Sequence, residues 1–247
     1  MPMNAELVLV DFDDTLVATA PRFEAARRRL FERLRECGHE ERLVRTLHHE
    51  IIDPPMRARY GFGPRRLAHA FRATYEALCA QRGEAPDAAL ARECEELGRS
   101  VLGAPPAVDG ALEALARLAA RLPTALYTQA GDPDYQLECV RAAGVLEVLT
   151  PERVHICAHK TTEAFALVLD RFRVRDPGAV WMIGNSIRSD VNPALELGAN
   201  AILVEIEDPW TYDVVEPVRN GFVRVSSFAA AVDLLLGGSR RPARSRS

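Results

Sequence analysis

Cysteine is scarce and spaced wrongly for a cross-linked frame. The five residues (Cys37, Cys79, Cys94, Cys139 and Cys157) are an odd number and form no C-x-x-C pair. That excludes a disulfide scaffold or a cysteine-based zinc site and suits a reduced compartment. No apolar stretch is long enough to cross a membrane. The start, MPMNAELVLVDF, lacks the basic region and long apolar core of a signal peptide, so a cytoplasmic location is expected. Positive charge is not in excess either: the formal net charge is −4, which gives no field to attract nucleic acid. A Gly-rich phosphate loop is missing. GFGPRR, Gly61 to Arg66, is neither a Walker loop nor a dinucleotide fingerprint. There is no internal repeat. The one biased segment is the last nine residues, SRRPARSRS (239–247), with four arginines and no acid, which reads as a disordered, solvated tail.

What remains is a chain of 247 residues, 48% hydrophobic, enough to bury a sizeable core. It is organised around Leu7 to Val17, LVLVDFDDTLV. Leu7 to Val10 reads as a buried strand of a parallel sheet, stopped abruptly by Asp11. Alternation along a strand would project Asp11 and Asp13 together from its carboxyl end. From Ala18 to Pro106 the chain is rich in Ala, Arg, Leu and Glu and reads as helices: Pro21 to Cys37, Arg65 to Arg82 and Asp87 to Leu102. Asp53-Pro54-Pro55 and Gly61 to Pro64 read as loops. From Val108 helices and strands alternate. Strands are expected at Pro123 to Tyr127, Val154 to Cys157, Ala179 to Ile183, Ala201 to Ile206 and Phe222 to Val225. Helices are expected from Asp109 to Ala120, from Asp132 to Gly144, over Thr161 to Arg171, Asp190 to Leu197 and Ser226 to Leu236. This alternation argues for an α/β fold, a Rossmann-like parallel sheet with helices on both faces, carrying an inserted helical domain. The division expected is a core of 1–17 and 107–238, a helical insert of 18–106 and a tail of 239–247.

Polar groups follow four of the strands: Asp11 and Asp13, Thr128, Lys160, and Asn185 to Asp190. In a parallel sheet all four gather at the carboxyl edge, where ligands bind. Carboxylates this close need a cation or a shared proton, and a set of three suits Mg2+, a hard cation that takes oxygen ligands. Lysine and a threonine hydroxyl suit phosphate oxygens. Taken singly, Thr128 reads as a turn residue, Lys160 as a solvated lysine and Asp190 as a helix cap; their shared placement is what carries chemistry.

DFDDTLV, then YTQAG, then HK, then GNSIRSDVNPALELGANAI resemble the motifs of the haloacid dehalogenase superfamily of phosphohydrolases. The resemblance covers Glu6 to Val17 and about Val108 to Ile206. It implies that Asp11 is a nucleophile forming an aspartyl-phosphate, and that Asp13 is the general acid and base. It implies that Thr128 and Lys160 hold the phosphoryl group, and that Asp11, the backbone carbonyl of Asp13 and Asp190 hold Mg2+. The helical insert matches the family's first type of cap, a lid that excludes water and selects substrate. One departure is Asn185, where the family motif usually has Asp; it keeps a carbonyl acceptor and loses a charge. Asn185 is therefore a possible further metal ligand. The expected activity is Mg2+-dependent hydrolysis of a small phosphorylated metabolite, with no nucleic-acid or membrane partner. A phosphomutase, a 2-haloacid dehalogenase or a non-catalytic binding protein on the same fold are the alternatives. Dehalogenases of the superfamily generally lack the second Asp, because halide loss needs no proton.

Overall fold

The computed structural model describes residues 5–61, 63, 65–207 and 215–237. The tail 239–247 and part of the Gly61 to Pro64 stretch lie outside them. Six strands form one parallel sheet: β1 (Leu7–Val10), β2 (Thr124–Gln129), β3 (Val154–Cys157), β4 (Val180–Gly184), β5 (Asn200–Val204) and β6 (Val223–Val225). Their order is β3-β2-β1-β4-β5-β6, so β1 is central and the chain leaves it in both directions. Among the described residues the α-helices are α1 (Ala20–Glu36), α2 (Glu41–Thr46), α3 (Asp53–Tyr60), α4 (Arg66–Arg82), α5 (Ala88–Arg99), α6 (Ala111–Ala119), α7 (Pro133–Ala142), α8 (Thr162–Arg171), α9 (Asn192–Glu196) and α10 (Phe228–Leu235). None is long and apolar enough to cross a membrane.

The chain divides into two compact units. The first draws on Met1–Ala18, Pro105–Gln129 and Val140–Ser247, the second on Thr19–Ala104 and Ala130–Cys139. In the first unit β1 is buried along its whole length, which is why it reads as an unbroken apolar run rather than an alternating one. Leu7, Leu9, Ala125, Tyr127, Val180, Met182, Ala201 and Leu203 line one face of the sheet. They pack with Phe165, Val168 and Leu169 of α8 and with Ala194 and Leu195 of α9. Val8, Val10, Leu126, Ile183 and Ile202, of opposite parity, are equally buried on the other face. Where the chain leaves β1 and returns, Val17 bridges Ala107 antiparallel and Ala18 N–H donates to the Pro106 carbonyl at 2.8 Å.

In the second unit Leu30, Phe31 and Leu34 of α1, Phe71, Tyr75 and Leu78 of α4 and Ala91 and Cys94 of α5 build a separate core. Helices α4 and α5 touch backbone to backbone: a Cβ on Gly98 would stand 2.5 Å from Ala68 Cα. Tyr135 of α7 is tied to the same unit, its hydroxyl accepting from Gly103 N–H at 2.9 Å.

The loop expected at Asp53-Pro54-Pro55 is instead the first turn of α3. Proline costs nothing there, because first-turn amides have no helical partner. The preceding Leu47–Ile52 is a wide π-type turn that leads straight into it. The helix expected from Asp109 starts behind Gly110, whose φ of 73° glycine adopts without strain. The strand expected to stop at Tyr127 runs on through Thr128 to Gln129.

Candidate active site

The geometry at the carboxyl edge starts from β1. Asp11 N–H donates to the Ile183 carbonyl at 2.9 Å, one residue past the strand, so the ladder with β4 fixes its position. The chain then turns sharply: Leu16 and Val17 N–H both donate to the Phe12 carbonyl, at 2.9 and 3.2 Å, and Asp14 adopts a positive φ of 58°. Aspartate tolerates that region better than most residues. Strand alternation therefore does not place the pair. Asp11 is buried, whereas Asp13 lies half-buried in the turn. The turn also brings Thr15 Oγ1 back to donate to Asp11 Oδ2 at 3.1 Å.

Lys160 follows β3. Its N–H donates to Gln129 Oε1 at 2.7 Å, which anchors the loop to the end of β2. Its ammonium donates to Asp11 Oδ1 and, at 2.6 Å, to Asp190 Oδ1, and lies 5.3 Å from the centre of the Tyr127 ring. Aromatic faces attract cations at this range. Asp190 follows β4, within the wide turn Ile187–Val191 that precedes α9. It is not the cap of that turn. Ser186 is: Ser186 Oγ accepts from Ser189 N–H, and Ser186 N–H donates to Asp190 Oδ2, both at 3.0 Å. Glycine is needed at 184 because a Cβ there would stand 2.2 Å from Asp190 Oδ2. Thr128, on β2, is fully buried; Leu126, two residues earlier, pairs with Val10, so Thr128 is level with the turn after β1.

The structure therefore joins Asp11, Lys160 and Asp190 directly and adds Asn185. The Asn185 carboxamide stands 3.2 Å from Asp11 Oδ2 and 3.2 Å from the Asp13 carbonyl oxygen, so the three oxygen-bearing groups converge on one place. Ser186, Gln129 and Tyr127 were not expected at the site. Ser186 and Gln129 immediately follow residues that were singled out, and that adjacency is the signal that would have found them.

One ammonium faces two buried carboxylates. Burial raises the Asp11 pKa; Lys160 works against this, while Asp190 and Asp13 add to it, and the carboxyl is pushed up to about 8. Burial works against the Lys160 ammonium, but Asp11 and Asp190 outweigh it and hold its pKa above the ordinary lysine value. Added positive charge at this edge would favour ionised Asp11. Among the described residues no three His, Cys, Asp or Glu side chains form a metal cluster. The converging donors are of another kind: the Asp11 carboxylate, the Asp13 main-chain carbonyl and the Asn185 carboxamide, with the Asp190 carboxylate alongside. All are oxygen donors, and this set fits a hard cation such as Mg2+.

Comparison with known proteins fits this geometry. The family described as haloacid dehalogenase-like hydrolase matches residues 5–198. A haloacid dehalogenase-like hydrolase from Xanthomonas campestris is 23% identical, with a TM-score of 0.74, covering 95% of this chain and 93% of that one. A hydrolase of the same family from Deinococcus radiodurans, solved with bound phosphate and sodium, is 20% identical, with a TM-score of 0.60 and 96% of each chain covered. A 2-haloacid dehalogenase from Pseudomonas syringae is 19% identical, with a TM-score of 0.57, covering 95% of this chain and 100% of that one. No curated protein matches the sequence. At these identities the solved structures speak for the fold.

Proposed function

The chain belongs to the haloacid dehalogenase-like hydrolases, and from that premise we propose that it is a phosphohydrolase acting on a small phosphorylated metabolite with Mg2+. The observation that carries this reading is the Asp11 carboxylate at the end of the central strand, gripped by Lys160 and Thr15, with Asp13 two residues on in the turn. A carboxylate so fixed is oriented to attack, and a half-buried second carboxyl two residues on suits a proton donor and acceptor.

In the proposed reaction an Asp11 oxygen attacks phosphorus and the bond from phosphorus to the leaving oxygen breaks. Asp13 gives its proton to that oxygen. Water then attacks phosphorus in the aspartyl-phosphate while Asp13 takes a proton from it, and inorganic phosphate leaves with Asp11 regenerated. Lys160, and Thr128 one strand away, would hold the phosphoryl oxygens. Asp190 keeps Lys160 directed toward Asp11. Asp11 and the Asp13 carbonyl would hold Mg2+, with Asp190 and Asn185 as the remaining oxygen donors. The cation would offset charge on the carboxylates and the phosphoryl group. Asp13 argues against dehalogenation, since halide needs no proton.

Asn185 is the observation that favours a second reading, a ligand-binding protein with little turnover, because one negative charge is missing from the donor set. An aryl phosphate assay with Mg2+, with EDTA and with Asp11→Asn separates the two. Turnover that needs both Mg2+ and Asp11 supports the hydrolase. A folded protein without turnover on aryl or metabolite phosphates, whose ligand binding survives Asp11→Asn, supports the binding protein.

A further inference from the structure

Strand β2 holds Lys160 at two points. Gln129 Oε1 accepts from the Lys160 N–H at 2.7 Å. Two residues back along the strand, the Tyr127 ring lies beneath the ammonium, with Nζ 5.3 Å from its centre. Tyr127 is fully buried on the side of the sheet covered by α8. Phe165 of α8 meets the ring edge-on at 5.9 Å, and His155 of β3 tilts against it at 5.7 Å, so the ring is fixed in place. Its hydroxyl makes no hydrogen bond among the described residues, so hydrogen bonding is not what orients this side chain. The ammonium has three N–H groups, and two of them donate to Asp11 Oδ1 and Asp190 Oδ1. An aromatic face attracts the charge as a whole through its quadrupole, and does not claim one N–H as a polar acceptor would.

We propose that Tyr127 is the positioning residue of Lys160: the ring face, together with Asp11 and Asp190, fixes where the ammonium stands and leaves its third N–H for a phosphoryl oxygen. The use of that third N–H rests on the hydrolase reading above; the placing of the ammonium does not. A leucine at 127 would fill the same core, but it would set the buried ammonium against hydrocarbon, which offers a charge nothing in return for lost water. A carboxylate at 127 would hold the ammonium, but it would add a third negative group beside Asp11 and Asp190 and take up the N–H that the phosphoryl group needs. The ring avoids both: it attracts a cation without carrying a charge.

The test uses the full-length chain with Tyr127 replaced by Phe and by phenylalanine carrying one, two or three ring fluorines. Fluorine draws electron density from the ring face and weakens its pull on a cation while the shape changes little. Tyr127→Phe keeps the face, and it is expected to hold kcat on an aryl phosphate within about twofold. Along the fluorinated series kcat is expected to fall stepwise, by about tenfold at three fluorines, with KM nearly unchanged. The urea midpoint is expected to fall in the same order. In Lys160→Met the same series is expected to leave the midpoint level, since no cation then faces the ring. A midpoint that ignores fluorination, or that falls equally in Lys160→Met, overturns the proposal and makes Tyr127 a packing residue, with the hydrolase reading left standing if the unmodified protein turns over. A kcat that stays level across the series in an active protein also overturns it. So does a loss in Tyr127→Phe as large as that with three fluorines, because the hydroxyl and not the face would then be at work. Graded midpoints in a protein without turnover overturn the hydrolase reading and keep the placing of Lys160. Should Lys160→Met fail to fold, the graded midpoints beside an intact Lys160 decide the matter alone.

Discussion

At the sheet edge one ammonium, Lys160, faces two carboxylates, Asp11 and Asp190. In the helical unit the ratio is reversed: one buried carboxylate, Asp53 at the head of α3, faces Arg66 at the head of α4 and, at 3.7 Å, Arg57. Both clusters are buried, so both carry a desolvation cost that only good pairing offsets. The difference lies in what the surplus charge does. In the helical unit Arg66 ties α4 to Asp53 of α3 and, after burial, His49 and Arg27, adds to the forces that lower the His48 pKa. At the sheet edge two carboxylates outnumber one ammonium and lie where a parallel sheet presents its ligands, which is where the proposed function would seat a cation. Buried charge alone does not make a site; its sign, its surplus and its place in the fold do.

The largest expected effect sharpens that contrast. Asp11→Asn is isosteric and is expected to lower aryl phosphate turnover by about 10⁴-fold or more while the protein stays folded. Arg66→Met, remote in sequence from every strand end, is expected to act on stability. Activity lost in proportion to unfolding would fit this. A folded Arg66→Met protein with an intact melting curve and no turnover would break the contrast.

Next come the two cations. Lys160→Met leaves Asp11 and Asp190 buried without their ammonium, and Arg66→Met leaves Asp53 without its main partner. Each is expected to cost about 3–5 kcal/mol in urea unfolding. Mg2+ should restore part of the stability of Lys160→Met and none of that of Arg66→Met. Equal rescue of both would remove the distinction between the two clusters.

Smaller still is Gly98→Ala, expected to cost about 1–3 kcal/mol, because the new methyl meets the Ala68 backbone rather than a yielding side chain. Chemical denaturation measures it. Gly184→Ala would press on Asp190 in the same way, and it is expected to lower turnover as well as stability.

The smallest effect is an acid limb. Burial first, then His49, Arg27 and Arg66, hold the His48 pKa well below its ordinary value of 6.5. Below pH 6.5 the unfolded chain binds this proton and the folded one does not. The stability contributed is therefore complete above pH 6.5 and is lost as pH falls from there toward the depressed folded value. Its Nδ1 lies 3.1 Å from Thr74 Oγ1, while Nε2 has no partner. His48→Gln should flatten this limb in urea midpoints taken at pH 7.5 and 5.5; an unchanged slope would contradict the assignment.

The sheet edge was far more legible in the sequence than the helical cluster, for a physical reason. A buried parallel strand is a short apolar run with a sharp polar end, so Leu7 to Val10 can be delimited locally; Val154 to Cys157, a half-buried edge strand with a histidine in it, gives a weaker signal, but the groups that follow both fall at one edge. Lys160 and Asp190 were legible in this way. What that reasoning could not supply was the direction of each side chain: Asp13 shares a turn with Asp11 rather than a strand face, and Asp190 accepts from Lys160 while Ser186 does the capping. The helical unit hid more. Asp53-Pro54-Pro55 carries every breaker signal and yet opens α3, since proline suits a first turn as well as a loop. The Asp53–Arg66 pair joins residues of two different helices, a tertiary contact that no local pattern marks.

The most direct test is to mix the protein with an aryl phosphate carrying labelled phosphorus, quench in acid within one turnover, and map the label by peptide digestion. The account predicts a hydroxylamine-labile phosphate on the peptide containing Asp11, absent in Asp11→Asn. Turnover by the unmodified protein with no label on that peptide, or a label that persists in Asp11→Asn, would contradict it.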